Sequence, residues 1–256
     1  MQSTTSKVAM LCLAGALLAG CESMKEMADK SGETIDGWID AISGSDRPYI
    51  ARQVGGDLND DDAMAIEKAS ARALEWTPAG KSVTWSNPKT GTRAVIKPGK
   101  MEMARRKVQT ARMKGVSRAP EMQLVAQTWS ARRNANLRSA PGTGGKIVGG
   151  LAKGEKFTAI GKVQGGKWVM VGINGKAVGY VFSKLVGPVK TKRAPVLRAE
   201  ELDLDSDDLG NNVVVDTMTV ATSCRTVNYT VIMTDSDPAN EKFRACKASD
   251  GAWEIN

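Results

Sequence analysis

Asn136-Leu137-Arg138-Ser139-Ala140-Pro141-Gly142 opens the most informative stretch of this chain. Leu151-Ala152-Lys153-Gly154-Glu155 follows, then Gly166-Lys167-Trp168-Val169-Met170-Val171, then Gly179-Tyr180-Val181. Apolar and polar residues alternate in short runs, with glycine turns at regular spacing between them. That is the pattern of five short strands. Strands this short suit a small barrel, which removes its own edges. Gly142, Gly144 and Gly145 read as part of a barrel turn; no helix follows to hold a phosphate.

The order and spacing of these four elements closely resemble the bacterial SH3-like (SH3b) domain, over residues 122–186. The resemblance implies a module that attaches envelope proteins to cell-wall peptides, or that packs onto an enzyme partner as a targeting unit. A groove for a short extended peptide needs aromatic faces and a few polar groups. Trp129, Trp168 and Tyr180 are the candidates for that role. Trp168 and Tyr180 also sit at positions that build the barrel itself.

Outward from this stretch, residues 58–75 predict a helix. Asn59 and the acids Asp60, Asp61 and Asp62 stand where an N-cap and the helix dipole favour them. Ile66, Ala69, Ser70, Ala73 and Leu74 form a narrow stripe of small and apolar residues, and Pro78-Ala79-Gly80 breaks the helix. Strands at 82–85 and 92–96 follow, joined by the turn Asn87-Pro88-Lys89-Thr90-Gly91. One helix and one hairpin bury too little to stand alone. At the far end, residues 212–220, 225–233, 241–247 and 252–255 read as strands. Cys224 and Cys246 lie symmetrically about the turn Asp235-Ser236-Asp237-Pro238. The first segment carries Ala71-Arg72-Ala73-Leu74-Glu75, Gly80-Lys81-Ser82-Val83-Thr84-Trp85 and Asn87-Pro88. The tail carries Cys224-Arg225, Ala245-Cys246 and Asp250-Gly251-Ala252-Trp253. Together these resemble the two halves of the bacterial 17-kDa surface-antigen lipoprotein domain, here split by more than a hundred residues.

The fold class that results is mainly β with a minor α part: a small SH3-like barrel inserted into a split domain of helix plus antiparallel sheet. Its parts are a leader (1–20), a partly helical tether (21–56), the first half-domain (57–99), a basic linker (100–120), the barrel (121–188), an acidic linker (189–211) and the second half-domain (212–256). The first linker holds Lys100, Arg105, Arg106, Lys107, Arg112, Lys114 and Arg118 against Glu102 alone. The return is crowded by Glu200, Glu201, Asp203, Asp205, Asp207 and Asp208. Both read as solvated connections, with weak mutual attraction.

The leader has Lys7, an apolar run at 8–18, and Leu18-Ala19-Gly20-Cys21. The run is about half of what a membrane-spanning helix needs. The last four residues resemble the lipobox of bacterial lipoproteins. That resemblance implies acylation of Cys21, cleavage before it, and anchoring to a membrane. Glu22 follows in place of the aspartate that retains enteric lipoproteins in the inner membrane, which favours the outer membrane. In the tether, Met24, Met27, Ile35, Trp38, Ile39 and Ile42 recur at near-helical spacing. Cys12 leaves with the leader, so an even pair, Cys224 and Cys246, remains in an oxidising compartment. This predicts a structural disulfide.

The 256 residues carry a formal net charge of +8 and no histidine. The absence of histidine excludes Ser-His-Asp and Cys-His catalysis and imidazole metal sites. Neither catalytic residues nor a cofactor are expected, and nucleic acid is an improbable partner for an exported chain. The reading is a non-catalytic envelope lipoprotein whose barrel binds peptidoglycan or an envelope protein. The alternative is an accessory targeting subunit of a wall-hydrolase or secretion complex.

Overall fold

Asn59 starts the main helix as its sequence dictates. The computed structural model describes residues 49–54, 58–119, 121–163, 165–190, 195–198 and 210–256. Helix α1 spans Tyr49–Val54 and helix α2 Asp60–Trp76, where the Asn59 side chain accepts from the Asp62 backbone N–H at 2.9 Å. The Asp62 side chain, 1% exposed, turns back to the hairpin formed by β1 (Val83–Ser86) and β2 (Arg93–Pro98). Asn87 Nδ2 and Thr90 Oγ1 each donate to it at 2.6 Å, and Asn59 Nδ2 at 3.0 Å. Burial pushes the Asp62 carboxyl up, but these hydrogen bonds together outweigh it and hold the group below its ordinary range. The stability Asp62 contributes is therefore present above the ordinary carboxyl pKa and lost as pH falls through the lower folded value. Asp62→Ala is expected to cost about 1–3 kcal/mol at neutral pH, through the donors it strands. Urea midpoints measured as a function of pH should converge for the two proteins in acid.

The two half-domains meet in one sheet. Strand β12 runs Val213–Ile232 without interruption, where the sequence predicted two strands at 212–220 and 225–233. Its lower half pairs with β2 on one side (Val227 opposite Pro98) and with β13 (Ala239–Lys247) on the other. The short β14 (Trp253–Ile255) continues beyond β13. Under the helices, Ile66, Leu74, Ile96, Tyr229, Phe243 and Trp253 belong to one buried cluster. Arg225, 5% exposed, closes the C-terminal end of α2. Its guanidinium donates to the carbonyls of Leu74 at 2.6 Å, Thr77 at 2.8 Å and Gly99 at 2.7 Å. The first two are acceptors that the end of the helix leaves without partners, and the third ties the helix to the chain leaving β2. Cys224 stands opposite Cys246 in the β12–β13 register and the two form a disulfide, with Cα atoms 4.0 Å apart. The loop it closes corresponds to ~3 kcal/mol in the chain-entropy picture.

The basic segment is not a solvated linker. Residues Glu102–Met113 form strand β3, paired with β12 along its whole length, from Glu102 opposite Cys224 to Met113 opposite Val213. A row of cations marks an exposed strand as readily as a loop. Alternation decides it: Val108 and Thr110 are buried on one face while Arg105 and Lys107 face water on the other. Arg112 pairs with Asp216 at 2.6 Å within this ribbon. Of the return segment, Leu197–Arg198 form β11, parallel to β14, whereas Glu200, Glu201, Asp203, Asp205, Asp207 and Asp208 lie outside the described residues.

Between the two arms of the ribbon come β4 (Met122–Ala131), β5 (Ala135–Arg138), β6 (Ile147–Leu151), β7 (Lys156–Val163), β8 (Trp168–Ile173), β9 (Lys176–Phe182), a single 3-10 turn (Ser183–Leu185) and β10 (Val186–Pro188). The barrel therefore has more strands than the five read from the sequence. It also does not close on itself alone. Pairings run β4–β7–β8–β9–β3–β12 and back to β4, so the ribbon supplies two staves of a closed ring. At the bulge in β4, Ala126 takes φ 47°. The turn before β14 presses against that point: a Cβ on Gly251, at φ +92°, would stand 2.7 Å from the Ala126 carbonyl oxygen. The barrel and the host sheet are thus joined by shared strands rather than hung from linkers.

Candidate functional site

The β7–β8–β9 sheet is buried on both faces, because neighbouring residues of β8 point into different cores. Val169 and Val171 pack with Trp129, Leu137, Phe157 and Val181 in one cluster. Trp168 and Met170 pack with Tyr180, Ile160 and the ribbon residues Val108, Met218 and Val220 in another. The three aromatics singled out from the sequence do not form a common exposed groove. Trp129 and Trp168 are 7% exposed and Tyr180 is fully buried. Trp168 meets Phe182 edge-on, with ring centroids 5.7 Å apart. The Tyr180 hydroxyl donates to the Ser117 carbonyl at 2.6 Å, and burial pushes its pKa up to about 12 against the pull of that hydrogen bond. The chain's own β3–β12 ribbon lies over the sheet face that carries Trp168 and Tyr180. Sequence alone could not show this, because the covering strands come from outside the barrel segment.

The barrel's accessible apolar element is β6. Within Ile147-Val148-Gly149-Gly150 all four residues are exposed, Ile147 at 59% and Val148 at 47%. Among the described residues β6 pairs only with β5, so one edge of its backbone is open. Natural edge strands are usually blunted by charge, proline or a bulge; these four residues carry none of the first two. The hairpin that presents them is rigid. Arg138 donates from Nη1 to the carbonyls of Thr143 at 2.9 Å and Gly145 at 2.8 Å, tying the loop to the strand. Only glycine fits at 145, where a Cβ would lie 2.8 Å from the Ala140 carbonyl oxygen. The signal for this edge is present in the sequence as an uncharged run between Lys146 and Lys153.

Cys21 and the tether residues Met24, Met27, Ile35, Trp38, Ile39 and Ile42 lie outside the described residues. No helix among the described residues is long and apolar enough to cross a membrane. Among those residues, no three His, Cys, Asp or Glu side chains are grouped to hold a metal ion.

Comparison with known proteins agrees with both sequence resemblances. Residues 133–187 match the bacterial SH3 domain family. The chain is also similar to the 17 kDa surface antigen of Rickettsia bellii (strain RML369-C), 29% identical over 113 residues that cover 37% of this chain and 71% of the relative. The 17 kDa surface antigen of Rickettsia canadensis is 39% identical over 46 residues, 18% of this chain and 58% of the relative. No solved structure matches the chain.

Proposed function

We propose that this protein is a non-catalytic lipoprotein of the cell envelope, anchored through Cys21, whose barrel binds an extended peptide: a peptidoglycan stem or a segment of an envelope protein. The supporting observation is the open, uncharged edge of β6 on a rigid hairpin. An extended peptide adds to such an edge by main-chain hydrogen bonds, which give affinity whatever its side chains, and Ile147 and Val148 supply apolar contact. Similarity to proteins named surface antigens supports placement at the envelope, and Glu22 after the acylated cysteine supports the outer membrane as the anchoring layer.

The test is retention on purified peptidoglycan. Ile147→Glu places a charge on a side chain that packs against little, so stability should change by no more than about 0.5 kcal/mol. Retention should fall about tenfold, the effect of ~1.4 kcal/mol in a binding equilibrium. Unchanged retention in the variant would remove β6 from the site. No retention of either protein would point to the targeting-subunit reading, which capture of an envelope protein by the wild type and not by the variant would then support. For Cys21, intact-mass measurement of the membrane-extracted protein should show an acylated chain beginning at that residue.

A further inference from the structure

We propose that the uncovered face of the β1–β2–β12–β13 sheet is a docking surface for the phosphate layer of an anionic bilayer. The inference deepens the envelope reading by naming the face turned toward the membrane.

In β12, Val227, Tyr229 and Val231 are buried beneath the helices, so Asn228 and Thr230 stand on the opposite face. The register places Lys97 and Lys242 on either side of Asn228 in one row. They lie two strand spacings apart, about 10 Å. Arg93, opposite Ile232, and Arg244, opposite Thr226, extend the cationic surface toward either end. None of the four cations belongs to an ion pair among the described residues. On β2, β13 and residues 226–232 of β12 no Asp or Glu side chain shares the face. The C-terminal carboxylate of Asn256 lies beside Arg244 at the β13 edge, and Glu102, opposite Cys224, lies beyond the rows that hold the lysines. Glu241 stands opposite Tyr229 and so belongs to the helix side, and Asp235 and Asp237 lie in the β12–β13 turn.

The spread of the four cations over the two strands that flank β12 points to an array of anions rather than to one small ligand. The cavity at its rim, about 380 Å³ and shallow, is shared by Lys242 and Arg244 with Tyr49. Tyr49, the first described residue, packs edge-on against Phe243 of the covered face at the β13 edge, so the chain enters the body at the rim that this cavity shares with the cationic face. Basic residues near an anionic surface contribute additively, and the attraction is screened by salt.

The experiment uses the chain from residue 21 with Cys21→Ser, so that face and acyl anchor can fail separately; residues 43–256 form one compact unit without the leader. Co-sedimentation is measured with vesicles rich in phosphatidylglycerol and with vesicles of phosphatidylcholine alone. Binding should require phosphatidylglycerol and weaken with salt, and Lys97→Glu/Lys242→Glu should reduce it tenfold or more, since each basic residue near the surface counts for about 1 kcal/mol. Lys153→Glu/Lys184→Glu, the same charge change on exposed barrel positions, should reduce it by less than about threefold. Equal losses from the two pairs would mean that net charge alone acts, and the proposal fails. Equal binding to phosphatidylcholine overturns it as well. A first pair that loses peptidoglycan retention while keeping vesicle binding would assign the face to the cell wall instead.

Discussion

Trp168→Ala will unfold the barrel without emptying a binding groove. The indole is 7% exposed and belongs to the cluster where the barrel sheet meets the ribbon residues Val108, Met218 and Val220. Truncating a large buried aromatic removes its transfer free energy and leaves a cavity, together about 3–5 kcal/mol. Because β3 and β12 also serve the host sheet, the loss should appear in one cooperative transition that includes the disulfide-bonded hairpin. Tyr180→Phe is the milder companion. It strands the Ser117 carbonyl now bonded at 2.6 Å, and should cost about 1–2 kcal/mol. Urea unfolding followed by tryptophan fluorescence measures both effects. Retention on peptidoglycan per folded molecule should match wild type; lost retention at unchanged stability would return these aromatics to the binding site.

Glu254→Ala should be comparably severe. Glu254 is 2% exposed and stands between two cations, Arg106 Nη2 at 2.9 Å and Arg198, which donates to its other oxygen. The Arg106 contact is Coulombic more than a hydrogen bond, since Glu254 Oε2 and Arg106 Nη1 have no hydrogen-bond partner among the described residues. Burial pushes the Glu254 carboxyl up, and its two arginines offset this only in part. Arg198 keeps Asp250 at 2.7 Å, but Arg106, only 14% exposed, would be left without a partner charge. Removing one member of such a group costs about 3–5 kcal/mol, whereas replacing the whole set by apolar residues of similar volume is often neutral or stabilising. Comparing urea midpoints of Glu254→Ala and of Arg106→Met/Arg198→Met/Glu254→Met therefore separates a stranded charge from a lost contact. If the triple variant is the less stable of the two, the group contributes net stability. This cluster ties β3, β11 and β14 together, so it holds the return from the barrel against the host sheet.

Local signals were legible in proportion to how local their physics is. Asn59 and the three aspartates announced the start of α2, because capping involves residues within one turn. The turn at 87–91 and the strands around it were equally readable. Cys224 and Cys246 were paired from their compartment and their symmetry about a turn, and the register put them face to face. Arg225 stands in the sequence only as the neighbour of Cys224. Its work, holding the last carbonyls of α2, spans a separation of about 150 residues and leaves no periodic trace. Seven cations in nineteen residues looked like a solvated connection, although half of a two-stranded ribbon is solvated too.

Sequence alone determined that this chain is mainly β, that it contains an SH3-like segment resembling the bacterial family, and that two distant cysteines pair. The first and last follow from alternation, turn chemistry and cysteine count, which are properties of short windows or of composition, and the second is what the resemblance of the quoted motifs implies. Tertiary structure alone decided that the barrel is closed by the host's own ribbon, that Trp168 and Tyr180 are interior, and that the open surfaces are the β6 edge and a cationic sheet face. Burial of a strand depends on what packs against it, and here the covering strands lie well outside the barrel's own segment.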